Sequence, residues 1–168
     1  MANVCLFNMH VRGERKALDE FLQVMDNTDY SIKMPAVCVS SEQTTFYQDV
    51  MVLKGTCSWS VYSSMFRPEP KEGYTNLIRE CKRLHIEVDV ISEENDFMER
   101  YLVNSDGKIL IEQTEDFIDI VWDKDKYPNF QQFIDNECSC YESGTIKEED
   151  ADEEGRITLF GIPYEFAF

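Results

Sequence analysis

Positive charge is what this sequence holds least of. Sixteen Lys and Arg stand against 33 Asp and Glu in 168 residues, giving a formal net charge of −17. A protein that grips nucleic-acid backbone needs clustered cations to release counterions from phosphate. The deficit argues against direct DNA or RNA binding, unless a local basic patch survives. Long apolar runs are missing as well. None approaches the roughly 18 residues of a spanning helix, so no membrane partner is expected. No basic region precedes an apolar stretch at the N-terminus, so a secretory signal is not expected either.

Glycine is sparse and scattered singly. There is no G-x-G-x-x-G and no P-loop, hence no sequence support for nucleotide binding. Histidine occurs only as His10 and His85, and no G-x-S-x-G exists. His85 lies in helical register with Cys81, which leaves a Cys–His pair conceivable; a core thiol beneath a boundary histidine is the plainer reading. The six cysteines, at 5, 38, 57, 81, 138 and 140, form no C-x-x-C pair. They read as reduced thiols of a cytoplasmic protein, several buried as small hydrophobes. Asp150-x-Asp152-x-Glu154-Gly155 opens like an EF-hand loop, but Gly161 stands where the bidentate glutamate belongs. No metal, no cofactor and no catalytic residue is expected.

The patterning that is present describes a compact α+β chain. Residues 3–11 place Cys5, Phe7, Met9 and Val11 on one strand face, with Asn8 and His10 on the other. Leu18, Phe21, Leu22 and Met25 fall on one helical stripe. Residues 30–54 are ambiguous. Residues 55–66 read as a strand, and Tyr74, Leu77, Ile78, Cys81 and Leu84 recur at helical spacing. Ile86–Val90 alternates strictly, predicting a half-buried strand with Glu87 and Asp89 on its wet face. Strands at 97–104 and 108–113 follow, joined by Ser105-Asp106-Gly107. The order fits a ferredoxin-like βαββαβ sandwich, an antiparallel sheet with helices on one face, over residues 1–113. Residues 114–168 form an acidic extension. It is expected to hold short helices near 114–122 and 130–137, a mobile loop at 143–155, a strand at 156–160 and an aromatic tail.

The charge is not spread evenly. Residues 1–84 carry ten acids and ten bases; residues 85–168 carry 23 acids and six bases. The imbalance begins at the strand opening near residue 86. Glu87, Asp89, Glu93, Glu94, Asp96 and Glu99 come first, and Glu112, Glu115, Asp116, Asp119, Asp123 and Asp125 continue the series. A plain soluble surface accounts for them in one reading. In the other they form a surface shaped to meet a basic groove, since concentrated negative charge speeds docking on a cationic partner.

The opening Asn3-x-Cys5-x-Phe7 with Val11-x-Gly13, the Leu18 and Phe21 helix, Gly55-Thr56-Cys57-Ser58-Trp59, and the strand 86–94 resemble the YubB-type ferredoxin-like domain. The resemblance covers about residues 3–104. It implies an accessory protein of phages, plasmids and conjugative elements, with no catalytic residues to carry over. The charge and that context together give the leading expectation: a non-enzymatic, nucleic-acid-mimicking inhibitor of a host defence nuclease, such as a CRISPR-Cas effector, in the host cytoplasm. Its partner would be a basic, nucleic-acid-binding host protein. The alternative is a scaffold or regulatory module that docks through Trp59, Tyr164, Phe166 and Phe168, its acids serving solubility. An RNA-contacting sheet presenting Trp59 and Tyr101, and an enzyme with a site invisible in sequence, complete the set.

Overall fold

The computed structural model describes residues 3–29, 31–68, 70–94, 97–114, 121–137, 146–158 and 162. Its centre is a seven-stranded antiparallel sheet in the order β2-β4-β1-β5-β6-β7, with β3 also paired to β4. The strands are β1 (Val4–Arg12), β2 (Val37–Val39), β3 (Thr45–Tyr47), β4 (Val50–Ser58), β5 (Glu87–Glu94), β6 (Phe97–Val103) and β7 (Ile109–Thr114). The helices are α1 (Arg15–Met25), α2 (Val61–Met65), α3 (Leu77–Leu84) and α4 (Phe130–Glu137). The chain is therefore α+β, with more strands than the βαββαβ plan and a different strand order. Both β4 and β5 run antiparallel to β1. They are thus parallel to each other, and the α2–α3 segment crosses from one to the other over β1.

Alternation along β1 creates two faces. Cys5, Phe7, Met9 and Val11 point to the first face, where they meet Leu18, Phe21, Val24 and Met25 of α1, Val61 and Met65 of α2, and Leu77 and Cys81 of α3 in one core. Gly55 lies directly opposite Phe7 in the β1–β4 register. A Cβ there would come within 2.7 Å of the Phe7 ring and 2.5 Å of the Cys38 carbonyl oxygen. The Gly-Thr-x-x-Trp segment thus gives Phe7 the room its ring needs.

Three expectations need correction. Residues 55–66 are not one strand: β4 begins at Val50, and Ser60 and Ser63 form a reciprocal capping box that starts α2. Such a box satisfies two orphan N–H donors and favours a helix start over strand continuation. The helices do not all lie on one face. Phe133 and Ile134 of α4 join Leu102, Ile111, Trp122, Ile146 and Ile157 in a second core on the opposite side of the sheet. Finally, 146–155 is packed rather than loose. Ile146 and Asp150 are buried, and a 3₁₀ turn runs Glu148–Asp150. Gly155, at φ +82°, brings its backbone so near Trp122 that a Cβ would lie 2.5 Å from the Trp122 carbonyl oxygen. Of the expected strand 156–160, Arg156 and Ile157 make isolated bridges, to Val121 and Ala151; the rest lies partly outside the described residues, as does 115–120 of the expected helix near 114–122.

Candidate interaction surfaces

The strand acids divide between the two faces of the sheet. By register, Glu87, Asp89 and Glu93 share the second face with Arg12, His10 and Leu6, while Glu99 and Glu112 share the first with Ser92 and Tyr101. A single stripe of carboxylates along the sheet is therefore not built.

Nor is the Glu87–Asp89 face wet. Asp89 is 1% exposed. Its two oxygens accept from Arg100 Nε at 3.2 Å and Nη2 at 2.9 Å, and that second nitrogen also donates to the Ile157 carbonyl at 2.8 Å. Arg12 binds Glu87 through Nε at 2.8 Å and reaches Asp150 at 3.2 Å. Asp150 in turn accepts from the Lys147 N–H at 2.8 Å. These groups make a buried ionic layer between the sheet and the 146–158 segment. His10 sits in the same layer, fully buried. Burial pulls its pKa down to about 4; Asp89 pushes the other way and Arg100 reinforces the fall. His10 is neutral at pH 7.

Glu99 also turns inward. Its carboxylate accepts from the Val61 N–H at 2.9 Å, the Ser92 hydroxyl at 3.1 Å and the Tyr101 hydroxyl at 3.1 Å. It anchors the start of α2 to β6. Tyr101 is buried, so it offers no stacking surface to a base. Burial, with Glu99 beside it, raises its hydroxyl pKa above the usual phenol range and keeps it a donor. Glu94 is half-buried and accepts from the Asn3 amide at 2.6 Å. Glu93, Glu112, Asp123 and Asp125 are exposed. Asp96, Glu115, Asp116 and Asp119 lie outside the described residues, as do Tyr164, Phe166 and Phe168.

The remaining excess lies in the acidic extension, as its composition predicts, but its packing over the second face carries no sequence signal. The described residues between 121 and 158 hold ten acids and four bases, and this segment covers the second face. Three of its bases are already engaged: Lys126 with Glu137, Lys147 with Glu149, and Arg156 with Asp152 and Glu154. Asp123, Asp125, Asp135, Glu148, Glu149, Glu153 and Glu154 are exposed. Trp122 roots the segment: its Nε1 donates to the Tyr127 carbonyl at 2.8 Å and its ring meets Phe130 edge-on at 5.1 Å. The opposite, helical side carries Lys16, Arg79 and Lys82 among its exposed residues.

A different feature marks the end of β4. Trp59 is 55% exposed and adopts φ +70°, a left-handed conformation that costs a bulky residue about 1–2 kcal/mol. Its N–H donates to the Asn3 carbonyl at 2.8 Å. Tyr62, on the first turn of α2, is similarly exposed.

Cys81 is buried in the first core while His85 is exposed in the left-handed cap of α3, so the two do not share an environment. The EF-hand-like residues are committed elsewhere, Asp150 to Arg12 and Asp152 and Glu154 to Arg156. Among the described residues no three His, Cys, Asp or Glu side chains group as a metal site. No described helix is long and apolar enough to cross a membrane. Comparison with family models, curated proteins and solved structures finds no match for this chain.

Proposed function

We propose that this chain is a non-enzymatic binding protein whose acidic layer, carried on residues 121–137 and 146–158, occupies the basic groove of a nucleic-acid-binding protein and competes with nucleic acid there. One observation carries the reading. The exposed acids ride on two described pieces, 121–137 and 146–158, that share the core around Trp122, the second of them tied to the sheet through Arg100 and Arg12. A rigid acidic surface loses less entropy on docking than a loose acidic tail. The resemblance to mobile-element proteins points the partner toward a host defence nuclease of the CRISPR-Cas kind, in the cytoplasm.

Competition measures this directly. A fluorescent DNA duplex is bound to a basic candidate nuclease, and the protein is titrated in at about 50 mM and 300 mM salt. Displacement at low salt that weakens steeply at high salt is expected, because screening shortens the reach of exposed charge. Neutralising Asp123, Asp125, Glu148 and Glu149 to Asn or Gln should abolish it while leaving the fold intact. Displacement that survives those four changes would sink the proposal.

A second reading rests on Trp59. An exposed aromatic side chain held in a strained backbone is the kind of anchor that protein interfaces use. In this reading the chain is a scaffold or regulatory module and the acids keep it soluble. Trp59→Ala with Tyr62→Ala should then remove partner retention, and the four acid substitutions should leave it unchanged.

A further inference from the structure

The loops before β2 and before α3 border a half-open pocket of about 310 Å³, lined by Pro35, Ala36, Arg67, Pro70, Lys71 and Tyr74. That volume lies at the small end of ligand pockets, and the mix of apolar walls with a few polar groups is the usual composition of one.

The walls are pinned before any ligand arrives. Lys33 and Tyr74 form a parallel bridge, in which the Lys33 N–H donates to the Gly73 carbonyl at 3.0 Å and the Thr75 N–H to the Lys33 carbonyl at 2.9 Å. The Ser58 N–H holds the Ala36 carbonyl at 3.1 Å. On the far wall Asn76, itself buried, donates to the Arg67 carbonyl at 2.8 Å. The Arg67 Nε donates to the Ser63 carbonyl at 2.9 Å, which fixes the guanidinium plane and leaves its two terminal nitrogens for other acceptors.

Charge sets the ligand class. Arg15, Arg83, Lys126, Lys147 and Arg156 pair with carboxylates at the surface, and Arg12 and Arg100 do so where they are buried. Arg67 and Lys71, both exposed, make no ion pair among the described residues, yet they line one pocket together. A guanidinium and an ammonium on the lining of one pocket favour a dianionic phosphate over a single carboxylate charge. Pro35, Pro70 and the Tyr74 ring supply apolar contact beside it. We infer that this pocket binds a small organic phosphate, its phosphoryl group on Arg67 and Lys71 and its carbon skeleton between Pro35, Pro70 and Tyr74. The site is separate from the acidic layer and does not depend on the function proposed above.

The test is an amide-resolved NMR titration of the full chain with phenyl phosphate at about 150 mM salt, with inorganic phosphate and phenol as separate arms. Saturable shifts are expected at residues 33–36 and 67–75, with affinity for phenyl phosphate about tenfold or more above that for inorganic phosphate, and no saturation with phenol. Lys71→Gln should weaken binding by about tenfold, the value of one charge-assisted contact. The Lys71 side chain engages no described partner and its carbonyl keeps the bond from the Tyr74 N–H, so this change should not disturb the fold, and the same spectra verify that. Arg67→Gln should weaken binding further, but it also releases Ser63. The inference is overturned if no saturable shift appears by 10 mM ligand (on the order of the weakest useful affinity), if inorganic phosphate binds as tightly as phenyl phosphate, or if Lys71→Gln binds unchanged.

Discussion

Arg100 on β6 grips Asp89 on β5 through two hydrogen bonds in a layer where both side chains are 2% exposed. The same guanidinium reaches the Ile157 carbonyl, so one side chain ties the sheet to the segment that covers it. Removing either partner strands the other charge away from water, and such losses cost about 3–5 kcal/mol. Asp89→Ala and Arg100→Ala should each lower the urea-derived unfolding free energy by that amount. The double change Asp89→Leu with Arg100→Met leaves neither charge of this pair behind and should cost clearly less than the sum of the two single losses. Additive losses would show that the ion pair is not the source of the effect.

His10 gives the fold a pH dependence of known sign. Its folded pKa, about 4, lies below the ordinary value of 6.5. The unfolded chain therefore binds the extra proton as pH falls between those values. Stability held by the neutral, buried His10 is present in full above pH 6.5, drains as pH falls toward 4 and levels off below. Between pH 7.5 and 5 the loss should be about 2 kcal/mol. Urea unfolding at the two pH values should show it in the wild type, and His10→Gln should flatten it. A wild type equally stable at both values would contradict the assignment.

The residues of this layer mark what sequence could and could not show. The core stripe of α1, the inward set of β1 and the β6–β7 hairpin were legible, because each is a local period with a local stop signal. Alternation places Glu87 and Asp89 on one strand face, as the register shows, and predicts that face to be wet, which it is not. Alternation separates two faces; it does not say what lies over them. The cover here includes Asp150 and Ile157, some 60 residues downstream, in a run whose acidic composition reads as a solvated loop. Asp150 is buried among those acids only because Arg12, far earlier in the chain, meets it. No local signal marks one carboxylate of such a run as the one that turns inward. The charge excess begins at β5 in the sequence, but Asp89 and Glu99 of β5 and β6 turn inward, and the exposed excess over the second face begins only at Asp123.

Gly55 makes a sharper local prediction. Its φ is not left-handed, so the residue is needed for space alone. Gly55→Ala places a methyl against the Phe7 ring and the Cys38 carbonyl. Overpacking of a fixed core costs about 1–3 kcal/mol. Chemical denaturation should show that loss, and Phe7→Leu in the same chain should return part of it, because the shorter side chain vacates the space. A neutral Gly55→Ala would mean the β1–β4 register opposite Phe7 is wrong.

The thiols supply the last prediction. Cys38 is exposed on the short strand β2, whereas Cys5, Cys57 and Cys81 are buried in the first core. Cys5 and Cys57 face each other directly across β1 and β4. A hydrogen bond with Cys57 holds the Cys5 thiol below its ordinary pKa, and that same contact together with burial pushes Cys57 up. Burial, reinforced by the nearby charges of Glu80 and Glu87, raises Cys81 well above the usual thiol range. Acidity without access does not give reactivity, since the thiolate must meet its reagent. Under native conditions at pH 8, iodoacetamide should therefore label Cys38 within minutes while Cys5, Cys57 and Cys81 stay protected until urea unfolds the chain. Peptide mapping by mass distinguishes these sites from Cys138 and Cys140. Labelling of Cys5 at the Cys38 rate in folded protein would mean that α2 opens readily over the β1–β4 pair. It would also mean that the Glu99 contact to the Val61 N–H does not hold that helix down.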